Sequence, residues 1–128
     1  MFVRFVIHKN DGESGRRQGL FQALAELSED GLLLVFEQKQ HDEVYEWFRQ
    51  NLKKPRSFTR STKPQAKKVA LSWFKDSATE HIAKMHHLVQ ILASHGTLVD
   101  IIHTERPGYV VYEDQFQVAA EPFQDTPT

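Results

Sequence analysis

The chain has 128 residues, with 16 Lys or Arg against 17 Asp or Glu, seven His and no Cys, for a formal net charge of −1. That length suits one domain, large enough to hide roughly two thirds of its unfolded surface without a disulfide or a structural metal. Zero Cys excludes a disulfide framework, a thiolate zinc site, an iron–sulfur cluster and a cysteine nucleophile, and the longest apolar run, LLLVF at 32–36, is far short of the ~20 residues of a membrane helix. The N-terminus, MFVRFVIHK, lacks the charged region, apolar stretch and cleavage site of a signal peptide. A soluble, cytoplasmic single domain with no membrane partner is the expectation.

Residues 2–8 read as a strand, with Val3, Phe5 and Ile7 on one face and Phe2, Val6 and Arg4 on the other. The stretch NDGESGRRQG that follows is a loop by composition. Leu20, Phe21, Leu24 and Leu27 then recur at helical spacing, and Ser28-Glu29-Asp30-Gly31 closes that helix. Val44, Trp47, Phe48 and Leu52 predict a second helix from about Asp42. The run at 32–36 fits an earlier turn of it better than a short buried strand. Pro55 ends it, because proline disfavours helical geometry in the residue before it.

Residues 53–68, KKPRSFTRSTKPQAKK, form a long basic loop containing Phe58 and no acid. Val69, Leu71 and Trp73 alternate with Ala70, Ser72 and Phe74, which suits a strand, with a helix as the rival. Ser77-Ala-Thr-Glu80 has the pattern of a capping box opening a third helix, whose apolar face carries Ile82, Met85, Leu88, Val89 and Leu92. Gly96 supplies its left-handed stop. Residues 97–103, 109–113 and 116–120 read as strands, and Arg106-Pro107-Gly108-Tyr109 suits a type II turn between the first two.

The predicted fold is α+β: a mixed sheet of about five strands with helices packed on it, ending in a three-stranded antiparallel meander. The strand at 69–74, the third helix and the strand at 97–103 have the length of a parallel crossover. Residues 1–121 form the domain, with loop 53–68 inserted and 122–128 as a flexible tail.

The neutral total hides an asymmetry. Residues 1–99 carry 15 Lys or Arg against 11 Asp or Glu, whereas residues 100–128 carry six acids against Arg106 alone. Such patterning bears on partners and association, and says nothing about fold. It motivates the first functional expectation, a binding domain acting through self-association, as a homo-oligomer, or through a protein partner. The second is a binder of nucleic acid or a phosphate ligand, using Lys53, Lys54, Arg56, Phe58, Arg60 and Lys63 of the basic loop with Arg16 and Arg17 of the Gly/Arg loop 12–19. That loop contains neither GxGxxG nor GxxxxGK[ST]. The third is an enzyme with His81 or His103 as general base.

Metal ligation by the third helix is disfavoured by spacing. His81, His86 and His87 do not stand at i, i+3 or i+4, as ligands on one helix must. His81 falls in the apolar stripe and reads as a hydrogen-bonded core residue. No cofactor is expected, no metal site is assigned, and no GxSxG elbow is present. The pairs Trp47-Phe48 and Trp73-Phe74 read as core, or as the lining of a cleft beside the basic loop.

Overall fold

A computed structural model describes residues 1–10, 17–54 and 70–128. The β-branched and aromatic run at the N-terminus forms β1 (Phe2–Asn10), and β2 (Arg17–Gly19) pairs antiparallel with its second half, matching Val6 with Gly19 and Asn10 with Arg17. The end of the expected Gly/Arg loop is therefore strand. Among the described residues, three helices follow the apolar stripes: α1 (Leu20–Glu29), α2 (Val35–Asn51) and α3 (Thr79–Ser94). The remaining strands are β3 (Leu71–Lys75), β4 (Asp100–Thr104), β5 (Tyr109–Glu113) and β6 (Gln117–Glu121). Residues 69–74 thus resolve towards strand, and the fold is α+β.

Among the described residues, every strand pair is antiparallel. β3 and β2 share one edge of β1, along its first and second halves, and β4 takes the other edge, so the order across the sheet is β4-β1-β3-β6-β5. Because β3 and β4 both run opposite to β1, they run parallel to each other with β1 between them. The β3-α3-β4 segment is the expected crossover, spanning one intervening strand.

The C-terminal strands add one refinement to the meander. β5 and β6 form a hairpin, closed by the Asp114 carboxylate accepting from the amides of Phe116 (2.9 Å) and Gln117 (3.2 Å). β4 instead gives its hydrogen bonds to β1, in unbroken register from Phe2↔Thr104 to Val6↔Asp100. The four residues 105–108 therefore join the two outer strands rather than close a hairpin. In a flat sheet those strands would stand ~19 Å apart, while five Cα steps reach at most ~18 Å. The sheet must curl until its outer strands approach.

Curling explains two cores. On the convex face, Val3, Phe5, Ile7 and Phe74 pack with Leu20, Leu24, Val44, Phe48, Met85, Leu88 and Leu92 from the three helices. On the concave face, Leu71, Trp73 and Val118 pack with Phe2, Ile102 and Val110, strand against strand with no helix. The C-terminal residues close part of this side. Arg17 Nε donates to the Thr128 carbonyl (2.8 Å), Thr126 Oγ accepts from the Phe123 amide (2.9 Å), and Arg106 lies 5.1 Å from the Phe123 ring.

Helix ends show where local signals hold. Gly96 (φ 78°) ends α3 in a Schellman motif, with Thr97 N–H donating to Leu92 and Gly96 N–H to Ala93. The expected capping box does not form. Ala78 is the N-cap of α3 without a side-chain bond, and its amide turns back to the Lys75 carbonyl. The strand-to-helix turn places Ser77 ahead of the cap position, so its hydroxyl is out of register with the first free amides.

Candidate functional site

The residues singled out by sequence have separate fates. His81 is buried, and its Nε2 sits 2.8 Å from the Asn51 carbonyl. That oxygen only accepts, so Nε2 carries the proton. The rings of Trp47, Phe48, Phe74 and Phe116 surround it at 4.3–6.2 Å. It is a core histidine pinning the end of α2 to α3. His103 is exposed on β4 opposite Val3. His86 is exposed and edge-on to Phe5 at 5.5 Å, and His87 is exposed. Among the described residues, no group of three His, Cys, Asp or Glu is placed to hold a metal ion, and no helix is long and apolar enough to cross a membrane.

Of the expected anion-binding residues, Lys53 and Lys54 are exposed where α2 ends, whereas Arg16, Arg56, Phe58, Arg60 and Lys63 lie outside the described residues. Arg17 is engaged within the chain. Its Nη1 donates to Asp100 (2.6 Å), and the same carboxylate has His8 at 3.5 Å. Acids of the C-terminal part likewise find cations within the chain, at the surface. Glu113 pairs with Lys75 (2.7 Å) and Asp125 with Arg106 (3.7 Å). Burial pushes the Asp114 carboxyl up, but the hydrogen bonds from Phe116, Gln117 and Tyr112 outweigh it and hold it below the usual range. A wide groove of about 1840 Å³ lies between α2 and the sheet, lined by Phe48, Phe74, Tyr112 and Gln117, with Lys53 and Lys54 among its wall residues.

The strongest unsatisfied surface lies elsewhere. The turn from α1 into α2 leaves Leu32 56%, Leu34 58%, Val35 90% and Phe36 68% exposed, so four neighbouring apolar side chains face solvent together. Leu33 alone of this run packs against the core. Single exposed apolar residues are ordinary, whereas a contiguous cluster marks a contact surface.

This corner is held by Glu37, a carboxylate buried at the start of α2. It accepts from the Leu34 amide (2.9 Å) and Ser94 Oγ (2.7 Å), and His95 Nε2 lies 2.8 Å away. The Ser94 hydrogen bond, then the Leu34 amide, hold its carboxyl down at about 2 against the opposing effect of burial, with His95 adding to them. One side chain thus caps α2 and ties it to the end of α3. Ser94, His95 and Glu37 do not form a catalytic triad, because the carboxylate binds serine and histidine separately and no serine–histidine bond links them.

No protein family, curated protein or solved structure matches this chain.

By composition, a run of five apolar residues reads as core. Helical phase contained the correction. At 100° per residue, Glu37 stands within 20° of Val44, and Val35 stands opposite it. Carrying the Val44–Phe48 stripe back along α2 buries His41 and Glu37 and turns Val35 outward, as observed.

Proposed function

We propose that this protein is a binding domain that works through protein contact, and that the corner of Leu32, Leu34, Val35 and Phe36 is its contact surface. The observation that carries this reading is an exposed apolar cluster on a rigid mount. Rigid apolar anchors bind with little ordering cost, which is what interface hot spots require. The Glu37 tie to Ser94 and His95 supplies that rigidity.

Photocrosslinking inside the expressing cell tests it. A benzophenone side chain at position 36 is expected to form a protein adduct of defined mass that Val35→Ser abolishes. The same label at exposed Gln90 on α3 should form none. Absence of an adduct from position 36, or equal labelling from both positions, rejects the corner as a contact surface.

A second reading rests on Lys53 and Lys54, which stand exposed beside the groove. It is a polyanion site on that side of the molecule, and oligonucleotide binding should then fall with salt at roughly −0.7 to −0.9 in log K per phosphate contacted. Reversing both charges to Glu is expected to weaken anisotropy-detected binding at least about tenfold. Unchanged binding rejects this reading.

A further inference from the structure

We infer that the partner of the apolar corner is a second copy of this chain, docked about a two-fold axis so that Lys39 of each copy faces Glu29 and Asp30 of the other. This rests on the reading of the corner as a protein-contact surface and adds the identity of the partner.

Area supplies the first argument. The four exposed side chains of the run leave roughly 500 Å² of mostly apolar surface, at the upper end of what a monomer ordinarily shows and more than half of the ~800 Å² that each partner gives to a standard interface. The corner thus supplies the larger part of one side of a stable pair, with its charged rim supplying the remainder.

Charge order supplies the second argument. Glu29 and Asp30 precede the apolar run, and Lys39 follows it by one helical turn, on the side of α2 that carries Val35 and Phe36. All three are exposed and make no ion pair with any described residue. The order acid, apolar, base is self-complementary under two-fold rotation, because the run of one copy lies against the reversed run of the other. Each acid pair then meets a lysine, while a parallel arrangement would bring like charges together. The same acids argue against an anionic membrane or a nucleic acid as the occupant, since both would be repelled at this rim.

The corner is also free of the features by which monomers blunt an apolar surface. Between Gly31 and Glu37 there is no charged residue, and Glu37 itself is buried and bound inward. Phe36 and Val35 stand on the first turn of α2, where Glu37 sets the helix start. Two such corners would bury four β-branched or aromatic side chains, two from each copy, at the centre, ringed by the leucines and then by the charges, the arrangement of an apolar core with a polar rim.

Sedimentation over a concentration series tests the inference on the full chain. The wild type is expected to reach twice the 14.9 kDa chain mass, and Phe36→Ser to stay monomeric with an unchanged far-UV spectrum, since Phe36 lies outside the core. Lys39→Glu is expected to weaken association about tenfold or more, and so is the pair Glu29→Lys with Asp30→Lys. Mixing these two variants should restore a mixed dimer with both sets of rim pairs complete, one of them reversed in sign.

A wild-type chain that stays monomeric at every concentration overturns the inference. So does a dimer untouched by Phe36→Ser, or one that the charge exchange fails to restore. A monomer whose position-36 label still crosslinks to a different protein in the cell would overturn the two-fold pairing and leave the contact surface standing. Loss of every adduct would remove both.

Discussion

Gly108→Ala is expected to lower the unfolding free energy by roughly 3 kcal/mol or more, a fall of about 10 °C or more in Tm for a chain of this size. Gly108 has φ 134°, which a side chain rarely adopts, and a Cβ there would stand 2.0 Å from the Glu121 carbonyl oxygen and 2.8 Å from the Pro122 Cα. Those atoms are backbone at the end of β6 and cannot turn aside as a flexible side chain could. The close approach arises where residues 105–108 cross between the outer strands and meet the chain leaving the sheet. Gly96→Ala is the control. It is also left-handed (φ 78°), but nothing lies within 4 Å of its Cβ, so only the backbone cost of about 1 kcal/mol applies. Thermal unfolding of both variants followed by circular dichroism separates conformation from packing. Equal losses at the two positions would refute the clash as the cause.

Glu37→Ala is expected to cost about 3 kcal/mol at neutral pH, because it leaves the Leu34 amide, Ser94 and His95 without their shared acceptor. The pH dependence gives this prediction its signature. The folded carboxyl lies at about 2, below its ordinary 4.5, so the folded state holds fewer protons there than the unfolded chain. The stabilisation is complete above about pH 4.5 and is lost as pH falls from there towards 2. Urea unfolding at pH 7, 4 and 2.5 should therefore show the wild type converging on the variant as acid is added. A gap that stays constant with pH would mean the loss is one of packing, not of the charge. The variant also tests the mount of the corner. Hydrogen exchange should speed up in the first turn of α2 and the last turn of α3, while the Schellman amides at Gly96 and Thr97 report whether the end of α3 frays with it.

Much of the fold is legible in single elements. The stripes of α1 and α3, the alternation of β1, the left-handed stop at Gly96 and the strand nature of residues 71–75 are carried by local periodicity, since each side chain's face follows from its own spacing. His81 reads correctly as a core histidine for the same reason: it falls within the apolar stripe of α3. The C-terminal hairpin is legible from its turn, where Asp114 serves two amides. The Ser77 capping pattern misleads because cap geometry depends on how the chain enters the helix, and here it arrives from the turn after β3.

The site was less legible. The charge asymmetry points to the basic loop and the acidic C-terminal part, yet Asp100, Glu113 and Asp125 find their cations within the chain. A charge's partner is set by strands that lie far apart in sequence, as Arg17 and Asp100 do. The apolar corner was hidden by an opposite error, since composition alone takes a run of leucine, valine and phenylalanine for core.

The zero Cys and the apolar share of the composition determined how these residues are held together: by apolar burial, with no disulfide and no thiolate chemistry among them. Those properties depend only on how many residues of each kind there are. Which charges remain free and which apolar side chains remain wet is a different matter, decided by tertiary structure. Curling of the sheet buries Trp73 and Val118 without a helix, and the phase of α2 buries Glu37 while exposing Val35. Burial belongs to a position in space, and equal side chains on one helix can stand on opposite sides of that boundary.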